Sequence, residues 1–420
     1  MSLSKDILLI CLRFPPTPGI GGRRWAKFAK ELAARGFNIH VIAAIQVEDK
    51  PSLWTEDVQH PSIKVYDVPN PYPHLVPSSN LLQKVKNRFT LQRLLWETKG
   101  TPYDEGVYWG KAMLAKARAL IQQYQIAHVI ATGAPFSALY NSVALKEAFP
   151  DIQLIVDYRD PWIHAVNYGM PDLSPKRKAF EYAQEQKVLR QADLIIAPTH
   201  PNVMVGVEAI QEAKAENKVW EIPHSFDPQD IGEIPSRQST KEQKIQMVFG
   251  GALYIGVDPQ LVRLRDWMQQ IKAGDPELYQ RLEIDIYSKD YERGQDLLTA
   301  DESALRFHAP ISKQALFQKL AVADIALLLI ADHNKDFKTT KFFEILAFRQ
   351  PFLMLGPKGR VSDYIEENQL GIHLDNHEVD VAYFVQSIHK LREEKVRLKE
   401  MDVSHFSLAK VTDQLIHHFT

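Results

Sequence analysis

The chain is nearly without cysteine: Cys11 stands alone, which excludes a disulfide framework and any multi-cysteine zinc site. It also lacks an excess of base. Lys and Arg number 50 against 52 Asp and Glu, a balance that argues against a dedicated nucleic-acid binder. No apolar run approaches the roughly 18 residues of a spanning helix, and no basic segment followed by an apolar stretch marks the start as secretory. Gly (19) and Pro (25) are too few in 420 residues for a collagen-like or low-complexity chain. The remaining class is a globular, cytoplasmic protein of two to three domains.

Several chemistries are missing too. HExxH, GxSxG and GxGxxG do not occur, and the nearest approach to a phosphate loop, Gly106–Ala112, has short glycine spacing and no Ser/Thr for magnesium. No Asp-x-Asp occurs, so the usual acidic bridge to a metal-bound diphosphate is lacking. The histidines show no ligand spacing, and neither a metal nor a cofactor is expected.

Apolar β-type runs alternate with helical patterns: strands are expected at Ile7–Leu12, Ile39–Ala44, Ala127–Ala131, Leu154–Asp157 and Leu194–Ala197, then at Ile245–Phe249, Leu282–Tyr287, Ile325–Ile330 and Phe352–Leu355. Trp25, Phe28, Ala29, Leu32 and Ala33 share one helical face in Arg23–Arg35, and Gly36 ends that helix. The βαβ rhythm implies α/β domains with parallel sheets covered on both faces. A Pro- and Gly-containing polar stretch interrupts it. The expected division is a first domain at 1–226, a linker at 227–244, a second domain at 245–402 and a last helix at 403–420.

Four segments carry candidate chemistry. In the first loop, Gly19-Ile20-Gly21-Gly22 with Arg23 and Arg24 stands where a sheet of this kind binds ligands, and a plain turn explains the glycines equally well. Asp157-Tyr158-Arg159-Asp160-Pro161-Trp162 follows a buried strand. Asp160 there either caps a helix or binds hydroxyls, and Trp162 offers a face to a sugar ring. Glu344 lies in an apolar helix start with Lys338, Thr340 and Lys341, where it either accepts bonds from ribose hydroxyls or forms a surface pair with Lys341. Leu81–Trp96 holds four bases (Lys84, Lys86, Arg88, Arg93), eight apolar residues and no acid. It reads as a packed surface helix or as an interfacial segment.

Taken in order, these pieces resemble the GT-B glycosyltransferases, in particular the family-4-like retaining group. Gly21-Gly22 with Arg24, Lys30-Glu31-Leu32 and Gly36-Phe37 is similar to that group's opening pattern. Asp157–Trp162, Ala192–Ala197, Ile222–Asp227, and Phe307–Ser312 with Leu320–Asp324 resemble later motifs. Asp336 with Glu344 fits the acid-x7-acid motif, Lys341–Ala347 the segment around its second acid, and Phe406–Leu415 the final helix. The chain departs at Phe249-Gly250-Gly251-Ala252-Leu253-Tyr254, which has the glycines but no arginine, with Arg263 and Arg265 downstream. It departs also at His224-Ser225, where the group has Asn-Gly.

The resemblance implies two Rossmann-like domains facing across a cleft, with the last helix crossing back to the first. It implies a nucleoside-diphosphate sugar donor and transfer to an acceptor hydroxyl with retention and no metal, in bacterial surface polysaccharide or glycolipid synthesis. Asp160, Asp336 and Lys341 would be catalytic. Gly21, Gly22, Arg24, Gly250, Gly251, His308, Lys338, Thr340 and Glu344 would hold the donor, and Arg159 and Trp162 would face the acceptor, a sugar or lipid-linked sugar. Cytoplasmic location with peripheral contact at the inner membrane face through 81–96 follows. A sugar-nucleotide epimerase of the same fold and a catalytically eroded binding module are the alternatives.

Overall fold

The computed structural model describes residues 5–46, 52–76, 80–232, 244–298, 303–375 and 379–419, with the backbone alone at 167, 394–397 and 399. Two compact units are present, Met1–Pro223 with Leu408–Thr420, and His224–Ser407.

The first unit is built on seven parallel strands: β1 (Asp6–Ile10), β2 (Asn38–Ala43), β3 (Ile63–Asp67), β4 (His128–Gly133), β5 (Gln153–Tyr158), β6 (Leu194–Ala197) and β7 (Val219–Glu221). Their order is β3-β2-β1-β4-β5-β6-β7. The second unit has six parallel strands: β8 (Ile245–Gly250), β9 (Leu282–Tyr287), β10 (Leu305–His308), β11 (Ile325–Leu329), β12 (Phe352–Leu355) and β13 (Gly371–Leu374), in the order β10-β9-β8-β11-β12-β13. Each sheet therefore reverses beside its first strand, between β1 and β4 and between β8 and β11. The central strands are buried along almost their whole length, as a sheet covered on both faces requires. Four strands, β3, β7, β10 and β13, were not expected from the sequence, and all four lie at sheet edges.

The helix Arg23–Ala34 buries the anticipated face and ends before Gly36, whose φ of 85° is the left-handed geometry that favours glycine. Lys27 is buried as well, which its ion pair to Asp57 at 2.8 Å permits. The returning helix starts at Leu408 rather than at 403. Leu408, Val411, Leu415 and Phe419 enter the core that holds Ile7, Leu9 and Trp25, whereas Val403 belongs to the core of the second unit. Arg35 fastens this helix through Ala409 O (2.9 Å) and Asp413 (3.0 Å). The first boundary also moves, to Pro223. Phe226 packs in the second core and its N–H donates to Phe406 O at 3.2 Å. Of the expected linker, 233–243 lies outside the described residues, and Pro228–Ile231 is a short helix capped by Asp227.

One buried group is costly. Glu185, in the helix Pro175–Gln191, is buried, and neither carboxyl oxygen has a hydrogen-bond partner among the described residues. Burial pushes its carboxyl well above the usual range, and the neighbouring Glu181 adds to this. Below the ordinary Glu range both folded and unfolded chains hold the proton and the group costs nothing extra. As pH rises from there, the unfolded chain releases the proton while the folded one keeps it, so stability falls. Glu185→Gln should therefore stabilise the protein at pH 7 by on the order of 1–3 kcal/mol and leave it unchanged near pH 4. Urea denaturation of both proteins across this range checks it, and parallel pH profiles would refute it.

Candidate functional site

In the second unit the chemistry gathers where the sheet reverses, at the carboxyl end of β8. Gly251 follows that strand with φ 137°, and a Cβ there would lie 2.2 Å from Lys341 Nζ. Gly250 is equally confined, by Leu316. The backbone thus leaves room for one ammonium. That ammonium stands 4.7 Å from the Phe249 ring centroid and 5.5 Å from that of Tyr254, with Ala252 O at 3.4 Å. Desolvation pulls the Lys341 pKa down to about 8, against an opposing pull from Glu344.

Lys341 belongs to the first turn of the helix Thr340–Phe348, which has no acid there and no side-chain cap. Phe342, Phe343, Ile345, Leu346, Ala347 and Phe348 are buried, leaving Lys341 and Glu344 together on the open face. An uncapped helix start with a lysine beside it attracts an anion. Lys338 Nζ lies 4.5 Å over the Tyr364 ring. One oxygen of Asp336 accepts from Arg360 N–H at 2.9 Å, so that carboxylate holds the start of the helix Arg360–Glu367. Between these elements Gly356 has φ 154°, and a Cβ there would lie 2.5 Å from Ile330 O, so β11 and β12 end in close contact.

Gly250, Tyr287 and His308 are in register across β8, β9 and β10. The His308 ring stacks on Tyr287 (4.7 Å, 19°), and its Nε2 lies 2.6 Å from Asp285. Arg306 clamps the same carboxylate at 2.8 and 2.9 Å. The row runs from the reversal to the sheet edge, bringing His308 into line with the glycines.

In the first unit the corresponding loop is locked. Arg159 donates to Gly21 O (2.6 Å), Ala134 O (2.8 Å) and Asp160 (3.3 Å), tying the loop to the end of β4. Gly22 packs so closely that a Cβ would meet Arg13 O at 3.1 Å. Arg13 pairs with Glu105 at 2.6 Å. No helix starts at Asp160-Pro161, so Asp160 is not a cap, and it remains partly exposed.

Two expectations are corrected. Arg24 does not face a ligand: it is buried, bonded to Asp157 (3.2 Å), Pro223 O (3.1 Å) and Ile222 O (2.8 Å). Trp162 is 0% exposed, stacked on Phe136 at 5.2 Å with its indole N–H given to Glu181 at 2.8 Å, and has no face for a sugar. The sequence reading named Asp157 without its role as the buried acceptor of Arg24, and missed the Arg13–Glu105 pair, the Phe249–Tyr254 frame around Lys341, and the Asp285–Arg306 clamp. A position directly after or at the end of a buried strand was the available signal for Arg13, Asp157 and Phe249.

Residues 21–202 match the glycosyl transferase 4-like domain. The chain has the GT-B fold, and the matched residues lie in its first unit. Its backbone is similar over 99% of its length to a glycosyltransferase from Rickettsia africae, covering 98% of that chain at 11% identity and a TM-score of 0.61. The E. coli trehalose-6-phosphate protein bound with UDP-2-fluoro glucose gives the same coverages at 9% identity and 0.63. A UDP-N-acetylglucosamine 2-epimerase from Listeria monocytogenes gives 98% and 95% coverage, 9% identity and 0.52. At such identities the likeness establishes the fold alone. No curated protein matches the GT-B chain in sequence.

The correction at Trp162 is testable. Trp162→Phe keeps the stack on Phe136 but leaves a buried oxygen of Glu181 without its donor, which should cost about 1–3 kcal/mol of stability. If catalysis is measured alongside, the KM for acceptor should not change. A stable variant with a raised acceptor KM would restore Trp162 to the site.

Proposed function

We propose that the GT-B chain is a glycosyltransferase that moves a sugar from a nucleoside-diphosphate sugar to an acceptor hydroxyl, with retention and without a metal. The observation that carries this reading is Lys341: a desolvated ammonium at the reversal of the second sheet, beside an uncapped helix start, with no carboxylate in ion-pair distance among the described residues. A diphosphate supplies the missing counter-charge.

In this reading Lys341, supported by Lys338 and the helix start at Thr340, neutralises the departing diphosphate, and stabilising that charge is the main contribution to lowering the barrier. Gly250 and Gly251 let the phosphates approach the backbone. Glu344, one turn along the same open face, accepts hydrogen bonds from ribose hydroxyls, and His308 on Tyr287 borders the base. The acceptor hydroxyl attacks the anomeric carbon from the face the diphosphate leaves, and a diphosphate oxygen takes its proton. Asp160 orients the acceptor. Arg159 holds the loop carrying Gly21 and Gly22, and Asp336 positions the helix at Arg360. The acceptor is a sugar or lipid-linked sugar of surface polysaccharide or glycolipid synthesis, met at the inner face of a membrane. Among the described residues no helix is long and apolar enough to cross one.

Calorimetric titration with UDP, GDP, ADP and CMP tests the donor site. Glu344→Ala should weaken the nucleotide that binds by about 1.5–3 kcal/mol, roughly ten- to a hundredfold, with the fold intact. Binding should raise the Lys341 pKa, so at mildly alkaline pH the native protein should take up a fraction of a proton per nucleotide. This is read from the dependence of the heat on buffer ionisation, and Lys341→Met should abolish it. Absence of nucleotide binding, or full affinity and proton uptake in both variants, would overturn the reading.

Transfer should also persist in EDTA, with the donor's anomeric configuration kept in the product by NMR. Loss of activity on chelation and recovery with manganese would defeat the metal-free assignment. Turnover of donor without acceptor would identify an epimerase instead.

A further inference from the structure

The helix Leu81–Glu97 shows its apolar side to solvent. Leu82, Phe89 and Trp96 are 79%, 73% and 86% exposed, and Leu81 and Val85 are exposed too. At 3.6 residues per turn these five fall within an arc of roughly 100°. Arg88 follows on one flank of the arc, with Lys84 beyond it, and Arg93 and Lys86 follow on the other. All four bases are exposed.

The opposite face carries Gln83, Asn87, Thr90, Leu91 and Leu94. It is the covered side, with Leu94 fully buried. That side is also the anchored one. Asn87 donates to Val76 O at 2.7 Å, and Arg177 donates to the carbonyls of Leu95 and Gly100. The expected packing of the apolar residues onto the sheet is therefore reversed: five of the eight face outward. The first acid after the run, Glu97, pairs with Arg93 at 3.6 Å and accepts the Tyr108 hydroxyl.

We propose that the outward face of Leu81–Glu97 docks on an anionic lipid surface. The five apolar side chains enter the headgroup boundary, and the bases on both flanks meet lipid phosphates. An interfacial helix needs this arrangement of Trp, Phe and Leu bordered by Lys and Arg. A second copy of the chain fits less well. In a two-fold contact the same patch meets itself, and the flanks would set four bases against four, with Glu97, already paired to Arg93, the one acid of the helix to answer them. The inference deepens the lipid-linked acceptor proposed above and rests on that reading for its purpose. Its observations are independent of nucleotide chemistry.

The test is co-sedimentation of the full chain with phosphatidylcholine vesicles and with vesicles that also contain phosphatidylglycerol, at low and high salt. The native protein should pellet with the anionic vesicles at low salt and be released by salt. Each base near such a surface contributes about a fivefold change in partition, so Lys84→Gln, Lys86→Gln, Arg88→Gln and Arg93→Gln together should weaken binding by roughly two to three orders of magnitude. Phe89→Ser with Trp96→Ser should also leave the protein in the supernatant. All substituted residues are exposed, so both variants should fold and keep native nucleotide affinity. Native protein that stays in the supernatant at low salt overturns the proposal, and so do variants that pellet like the native chain. A dimer in sedimentation equilibrium that the Phe89 and Trp96 changes dissolve also overturns it, by making the patch a self-contact. A chain that pellets as expected but binds no nucleotide keeps the docking surface and loses the transferase reading.

Discussion

Asp157 carries a carboxylate into the interior at the end of β5, where it has no contact with water. Its two oxygens receive Arg24 Nε at 3.2 Å, Trp25 Nε1 at 2.7 Å and Thr132 Oγ1 at 2.8 Å. These donors come from the helix after the first loop and from β4, so one charge fixes the helix, the two strands and the angle at which the loop leaves. Arg24 then spends its remaining donors on the carbonyls of Ile222 and Pro223, where the first unit hands the chain on. Breaking such a buried pair by removing one partner costs about 3–5 kcal/mol, because the other charge is left stranded. The loop around Gly21 and Gly22 is rigid because this network and Arg159 hold it from both ends.

The second unit places a charge at the equivalent reversal and leaves it incomplete. Lys341 has two aromatic faces and one distant carbonyl, and among the described residues the charge that steadies it, Glu344, sits a turn further along. Contacts of this type are weaker than a desolvated ammonium requires. The first unit answers its buried charge from within, whereas the second holds one for which an external anion is the natural complement. This asymmetry is the physical ground on which the proposed donor site lies in the second unit.

The strands at the centre of each sheet were legible because double-sided burial demands unbroken apolar runs such as Ile7–Ile10 and Ile325–Leu329. The edge strands were not. Ile63–Asp67 buries only Ile63, Val219–Glu221 is three residues long, and Gly371–Leu374 is mostly half-buried. The site was legible where motif and periodicity coincide, as in Lys341 to Ala347. It was illegible where the outcome depends on which way a side chain turns. Trp162 and Arg24 have the chemistry of ligand contacts, but Glu181 and Asp157, distant in sequence, draw them inward. In the segment 81–97 composition revealed both the bases and the apolar residues, yet only the structure shows that the apolar arc is the outer one.

The first unit is discontinuous: the helix Leu408–His417 completes a core begun at Ile7, and Arg35 meets Asp413 across 378 positions of sequence. On the ribosome, where synthesis runs at about 5–20 residues per second, β1 to β7 emerge first and must wait while the whole second unit is made. The second unit needs nothing from outside 224–407 to close its own sheet, so it can finish first even though it is synthesised later. The face of the first sheet that this helix covers stays open to other chains meanwhile. The helix Leu408–His417 therefore determines how long a nascent chain stays vulnerable to aggregation, and a stop codon just before Leu408 would leave a finished second unit joined to an unsealed first.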